Sequence, residues 1–258
     1  MNMPKYAPIR IEYDKSRLHK EIIESGIFQN GMIATSHIAD GNNPLDNGID
    51  GNNPWDNGIN FKSPKFKNQD KVPLWNNRDH NYIVERGINT FKQVNVTSHC
   101  EHNQIDEVWI HNERVQHKVS KWVQYHRPWS YRTDYDLPYL RSVVEQFNLE
   151  FVSMIRIIYQ NPPSIGLIHV DNVKSINEWY YNNQGVTITL NVSSGGANLY
   201  FLQDDKEITI DESNISCWHF DDSVLHCTDE VSSERIQIRI YGKHNNYLNL
   251  MDLSHAIY

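Results

Sequence analysis

The sequence predicts an α+β protein, in which helices and long polar loops up to about residue 149 support a core of about eight short antiparallel strands. Three observations predict it. From 150 to 242 the chain alternates apolar and polar residues in short runs, with no helical period between them. Those runs are broken by Asn161-Pro162-Pro163, Gly195-Gly196 and Asp221-Asp222, residue pairs that turn a chain. Upstream, apolar residues recur at helical spacing instead.

The strands are expected at 151–159, 165–170, 186–192, 197–203, 206–210, 215–220, 224–228 and 234–241. About eight strands in roughly 90 residues, without helices between them, suit a jelly roll, the double-stranded β-helix of cupin-like proteins. Three amphipathic helices are expected before them. Residues 14–26 carry Asp14 or Ser16 as N-cap and Gly26 beyond the end. Residues 112–124 align Val115, Val119, Trp122 and Val123 on one face, and 137–148 align Leu140, Val143, Val144 and Phe147. The chain therefore reads as one domain: 1–149 as support and lid region, 150–242 as the core, and 243–258 as a C-terminal tail.

Composition excludes several classes. The chain has 24 Lys plus Arg against 32 Asp plus Glu, a net charge of −8 over 258 residues. That balance lacks the basic surface that neutralising a phosphate backbone demands, so no nucleic-acid partner is expected. No run approaches the ~18 apolar residues of a membrane span, and the first residues carry no apolar signal stretch. Three cysteines (Cys100, Cys217, Cys227) form no disulfide framework. A cytoplasmic protein with no membrane partner is expected.

Residues 40–49 and 50–59 are a tandem duplication, DGNNPLDNGI then DGNNPWDNGI. A calcium loop needs Gly at its sixth position and Glu at its twelfth; Leu45 and Trp55 stand at the sixth, Gly51 and Phe61 at the twelfth. The duplication reads as a surface loop.

His169-Val170-Asp171 carries the chemistry. Side chains alternate across a strand, so His-x-Asp aims an imidazole and a carboxylate into one space. These are two of the three ligands of the facial triad that binds non-haem Fe(II) and leaves positions open. A second such pair, His219-Phe220-Asp221, has no suitably spaced partner downstream and reads as a strand residue. After the first pair the chain passes several strands and presents His226, with Arg235 nine residues on. His169, Asp171 and His226 are therefore the expected metal ligands. His99-Cys100-Glu101-His102 lacks a partner cluster at zinc spacing and reads as structural.

Across about 150–242 the chain resembles the Fe(II)/2-oxoglutarate-dependent oxygenases, especially their prolyl-hydroxylase branch. The resemblance lies in MIRIIYQNPPSIGLIHVDN, TLNVSSGGANLYF and WHFDDSVLHCTDEVSSERIQIRIYG. It implies that His169, Asp171 and His226 hold Fe(II) and that Arg235 pairs with the distal carboxylate of 2-oxoglutarate, the cosubstrate consumed with O2. Arg239 shares Arg235's strand face and is the alternative. Tyr159, ten residues before His169, matches the family tyrosine that reaches the cosubstrate, and Thr189 stands where relatives place another tyrosine. Retention of Asp171 disfavours halogenation. The implied reaction is hydroxylation of an unactivated C–H bond in an amino-acid-like small molecule or a peptidyl substrate, with succinate and CO2 as co-products. The residues alone leave a cupin-type dioxygenase or isomerase without 2-oxoglutarate, and a metal-free binding module, as alternatives. The segment 172–185, with Trp179, Tyr180 and Tyr181, reads as a long aromatic loop beside the metal.

Overall fold

The computed structural model describes residues 3–29, 32–35, 89–98, 126–164, 166–169, 174–203, 206–224 and 226–258. The duplicated 40–59 segment, the expected helix at 112–124 and the 99–102 cluster lie outside these residues. In chain order the elements are β1 (Tyr6–Pro8), α1 (Lys15–Glu24), β2 (Met32–Thr35), β3 (Asn89–Asn95), β4 (Thr97–Ser98), β5 (Ser130–Tyr131), α2 (Pro138–Glu145) and β6 (Phe151–Ser164). They continue with β7 (Gly166–His169), α3 (Lys174–Asn182), β8 (Gly185–Ser194), β9 (Asn198–Gln203), β10 (Lys206–Asp211), β11 (Cys217–Phe220), β12 (His226–Thr228) and β13 (Arg235–Lys243). No helix among the described residues is long and apolar enough to cross a membrane.

The eight strands from β6 to β13 coincide with the eight expected. They divide between two antiparallel sheets. The larger has seven strands in the order β1-β11-β8-β13-β6-β3-β2, and the smaller four in the order β10-β9-β12-β7. Apart from the β9–β10 hairpin, which stays within the smaller sheet, successive strands cross from one sheet to the other, a jelly-roll-like arrangement. Expectation and structure part company in the N-terminal half, where β1 joins one edge of the larger sheet and β3 and β2 extend the other. Strands too short or too polar to show a period become strands by pairing with a strong neighbour.

Period two on the central strand sets the layers. Ile236, Ile238 and Ile240 of β13 are buried in one cluster with Ile155 and Ile157 of β6 and with Leu18 and Leu140 from the helices. Helices therefore cover one face of the larger sheet. In α1, Asp14 caps the N-terminus by accepting from the Arg17 N–H at 3.0 Å, and Leu18 and Ile22 form its buried stripe. Helix α2 begins at Pro138 with no cap of its own. Glu21 of α1 supplies one, accepting from the Tyr139 N–H at 2.6 Å and the Leu140 N–H at 2.8 Å, which locks the two helices together. The opposite face of the larger sheet meets the smaller one through Trp218 and Phe220 on one side and Leu199, Phe201 and Ile210 on the other.

One turn fixes the start of the strand that carries the arginines. Gly195 and Gly196 have φ of +61° and +73°, and the Ala197 N–H donates to Ser194 O at 3.0 Å. Glycine adopts positive φ at no steric cost, and here two in succession carry the chain from β8 in the larger sheet to β9 in the smaller one. A Cβ on Gly195 would come within 2.8 Å of Ser233 O and of Arg235 Cβ, so this turn also buttresses the start of β13.

The aromatic segment after β7 is a helix, not a loop. Tyr180 of α3 is fully buried, its hydroxyl 2.9 Å from Val186 O and 3.0 Å from Gly242 O. The side chain pins α3 to β8 and β13, and that tertiary contact outweighs the modest helix propensity of an Asn-rich, aromatic segment. Two stability outcomes are expected in urea unfolding. Tyr180→Phe destabilises by about 1–3 kcal/mol, since it strands buried carbonyls. Leu140→Ala costs about 2–5 kcal/mol, for the cavity it opens under the sheet.

Candidate active site

His226 opens β12, the strand between β7 and β9 in the smaller sheet. Its register partners are His169 on β7 and Phe201 on β9. Residues directly opposite in an antiparallel pair share a face, with Cβ atoms ~4.5–5.5 Å apart. Residues 57 positions apart in sequence thus meet as cross-strand neighbours. Asp171 lies outside the described residues. His226 is 2% exposed, and its Nδ1 lies 2.8 Å from Val224 O. A carbonyl only accepts, so Nδ1 carries the ring proton and Nε2 keeps its lone pair. That is how metal-ligating imidazoles are held. The His226 ring meets Phe220 edge-on at 4.9 Å and 78°. Phe220 belongs to the buried cluster joining the two sheets, so the imidazole stands between them.

On β13 the inner face of the larger sheet is polar where the outer face is apolar. It carries Arg235, Gln237 and Arg239, alternating with the three isoleucines. Arg235 is buried, and its guanidinium is already engaged. Nε and Nη2 donate to the two carboxylate oxygens of Glu212 at 3.0 and 2.8 Å, and Nη1 donates to Gln160 Oε1. Glu212 is 1% exposed. It sits in a 3-10 turn, Glu212–Asn214, whose start is capped by Asp211 accepting from the Ser213 N–H at 2.9 Å. Asn191 Nδ2 holds that turn from β8, donating to Glu212 O and, at 3.1 Å, to Ile215 O. A fork-to-fork pair of this kind, with both ends desolvated, is stiff.

Arg239 is half-exposed on the same face, directly across from Arg156 on β6 and from Thr189 on β8. Thr189 is buried, and its partner on the far side is Trp218 of β11. Arg156 Nε donates to Asn95 Oδ1 at 3.3 Å.

Tyr159 is corrected by register. It pairs with Ile236, packs against the helix-side core, and stacks on Phe28 at 4.5 Å between ring centroids. Its hydroxyl accepts from Asn161 Nδ2 at 2.8 Å, and desolvation raises its pKa. It lies on the face opposite Arg235, where Gln160 stands instead. Counting residues to His169 measures distance along the chain, not parity on the strand. The aromatic segment at 172–185 divides likewise: Tyr180 is core, while Trp179 is 41% exposed and packs edge-on against His126 at 5.5 Å. Cys217 and Cys227 are buried and not joined in a disulfide, and burial pushes the Cys217 thiol well up.

His219 is fully buried rather than partly so. Its Nε2 lies 3.0 Å from Pro4 O, and its Nδ1 is 3.2 Å from both Thr187 O and the Tyr247 hydroxyl. Desolvation lowers its pKa, against a smaller opposing pull from Asp221. Glu212 and Gln160 were not foreseen as site residues. Glu212 follows a recognisable Asp-x-Ser cap, but nothing local connects it to an arginine 23 positions on.

No protein-family model matches the chain, and no curated protein matches it. Among solved structures it is similar in part to a prolyl-4-hydroxylase from Pseudomonas putida, at 18% identity over 41% of this chain and 61% of that one, with TM-score 0.28. A 2OG-Fe(II) oxygenase-family oxidoreductase from Burkholderia pseudomallei matches at 13% identity over 62% of this chain and 71% of that one, with TM-score 0.33. A non-heme monooxygenase in its ThoJ–Ni complex matches at 10% identity over 36% and 44%, with TM-score 0.27. The matched part spans less than two thirds of the first of these chains. Superpositions so partial carry no function, which rests on the chain's own residues.

Two outcomes follow from the buried groups. Glu212→Ala leaves a desolvated guanidinium without its carboxylate and is expected to cost about 3–5 kcal/mol in chemical unfolding. His219 binds its proton less readily folded than unfolded. Its contribution to stability is therefore complete above the unfolded pKa of ~6.5 and is lost as pH falls through the lowered folded value. Unfolding free energies measured from pH 8 downwards should show that decline, and a His219→Gln variant should lack this component of it.

Proposed function

We propose that the chain is a non-haem Fe(II) oxygenase of the 2-oxoglutarate-dependent type, built on a double-stranded β-helix, that hydroxylates an unactivated C–H bond. The observation that carries this reading is the register of His226 against His169, with the His226 Nδ1 proton committed to Val224 O. That arrangement supports a ligand pair facing one space. Asp171, two residues beyond His169, completes a set of two imidazoles and one carboxylate, the donor set of a ferrous site with open positions. These are the residue types that would hold Fe(II).

Bound Fe(II), with 2-oxoglutarate and O2, would supply the oxidising chemistry: one oxygen atom enters the substrate C–H bond as hydroxyl, the other enters succinate, and CO2 leaves. The chain's own contribution is geometric and electrostatic. Val224 O keeps the His226 lone pair on Nε2. Phe220 and Phe201 flank that imidazole with apolar surface, which excludes water from the reacting centre and strengthens the electrostatic interactions there. A cation on the inner face of β13 receives the far end of the acid. The substrate is an amino-acid-like small molecule or a peptidyl side chain.

The test is succinate formation. Purified protein with Fe(II), 2-oxoglutarate, O2 and ascorbate should release succinate and bind about one metal ion per chain. His226→Ala should abolish both while keeping the wild-type circular dichroism spectrum. A wild-type protein that binds no divalent metal, or binds it and makes no succinate, overturns the reading.

A further inference from the structure

We infer, resting on the oxygenase reading above, that the hydroxyl of Tyr6 donates to the distal carboxylate of the 2-oxo acid. Neither residue expected in that role fills it: Tyr159 packs on the helix side, and Thr189 has no ring. Tyr6 belongs to β1, an edge strand that no period in the sequence announces, and register fixes where its ring goes. It pairs with Phe220 of β11, as Pro8 pairs with Trp218. Direct partners share a face, so Tyr6 joins Phe220 and Trp218 in the cluster between the two sheets. Its backbone is held from both sides, by β11 and by Ile257, whose N–H donates to Tyr6 O at 2.8 Å. Strand pairing alone thus holds the ring inside the sandwich.

Tyr6 is 3% exposed, and its hydroxyl oxygen is buried without a hydrogen-bond partner among the described residues. Buried tyrosine hydroxyls find a partner as a rule, because an unmet one keeps the whole cost of leaving water. Tyr180, Tyr200 and Tyr247 follow the rule, each donating to a carbonyl or a carboxylate. Tyr6 departs from it. Its side chain carries a donor into the interior and meets no acceptor there, and an anionic oxygen is the acceptor that strengthens such a bond most.

The surroundings say which anion. Burial raises the Tyr6 pKa, and the negative charge of Glu212 raises it further, so the hydroxyl keeps its proton and acts as a donor. Glu212 is the carboxylate that Arg235 holds, which puts the hydroxyl within electrostatic reach of that buried pair. In the other direction the Tyr6 ring shares its cluster with Phe220, which meets the His226 imidazole edge-on at 4.9 Å. Tyr6 therefore stands between the candidate metal ligand and the buried cation. Along β9 the same interval runs from Phe201, opposite His226, to Asn198, opposite Asp211, roughly 10 Å at strand rise. Leu199 lies between them and offers apolar surface to methylene groups. A short dicarboxylic acid has this order of groups: one end for the metal, an apolar middle and a second anionic end. Because Glu212 already balances Arg235, that second carboxylate needs a neutral donor beside the cation, and the phenol hydroxyl is one.

Calorimetry on Mn(II)-loaded protein, which binds without turning over, tests this with two acids: 2-oxoglutarate, and 4-methyl-2-oxopentanoate, which has the same reactive end and a neutral tail. Tyr6→Phe removes one oxygen from the interior and nothing else. It should weaken 2-oxoglutarate by ~10-fold or more, as expected for one hydrogen bond to a charged group, and leave the neutral-tailed acid nearly unchanged. Its ligand-free unfolding midpoint should equal or exceed that of the wild type, since the deleted hydroxyl has no partner to lose. Adding 2-oxoglutarate should also produce a tyrosine ultraviolet difference band in the wild type that Tyr6→Phe lacks. A loss shared by both acids overturns the inference, because it moves the hydroxyl to the metal end. A lowered midpoint overturns it by making the hydroxyl a structural donor, and so does an unchanged affinity for 2-oxoglutarate. In these three cases the oxygenase reading stands. If neither acid binds the metal-loaded wild type, that reading falls, and this inference with it.

Discussion

The register of β13 between β6 and β8 is the constraint on which the rest of the molecule depends. Ile236, Ile238 and Ile240 must go under the helices, because burying three large apolar side chains stabilises the fold by several kcal/mol. Period two then sends Arg235, Gln237 and Arg239 to the other side. A slip of one residue would bury arginines under Leu18 and Leu140 and expose isoleucines to the cavity. The apolar half of the pattern thus determines where the polar half can act. The Gly195-Gly196 turn reinforces this, since its close approach to Arg235 and Ser233 leaves the start of β13 little freedom.

A buried polar layer in a sandwich of this kind is costly unless every group has a partner. Around Arg235 the requirement is met internally, by Glu212, Gln160 and the Asn191 grip on the Glu212 turn. The sandwich interior accordingly has two characters. One end is a closed, charge-matched brace. Toward the His226 end the aromatic rings of Trp218, Phe220 and Phe201 line the space beside an imidazole with a fixed tautomer. A rigid base below and a shaped, apolar environment above orient groups and exclude water, and that supports the proposed reading.

Much of this was legible in the sequence, and the failures have identifiable causes. The eight strands of the sandwich, α1 and α2 came through because each buries one face, and a half-buried element writes its period into the residues. Strands β1, β2 and β3 escaped because pairing with an existing edge makes a strand of a segment with no period of its own. Helix α3 escaped because Tyr180, which anchors it, reads equally well as a residue of an aromatic loop. Tyr159 was assigned to the site by its distance from His169. That count runs through the β6–β7 connection and into the other sheet, so it says nothing about which face of β6 the ring occupies.

The sequence by itself determined what depends on neighbours along the chain: where strands begin and end, which faces are apolar, and that His169, Asp171 and His226 are the residues of metal-binding type at a suitable spacing. Tertiary structure alone decided what depends on neighbours across strands. It set His226 opposite His169, turned Tyr159 outward, matched Arg235 with a carboxylate from a distant turn, and left Arg239 facing Arg156. The physical reason is that hydrophobic period is a local property, whereas the partner of a buried charge is chosen by the register of strands far apart in sequence.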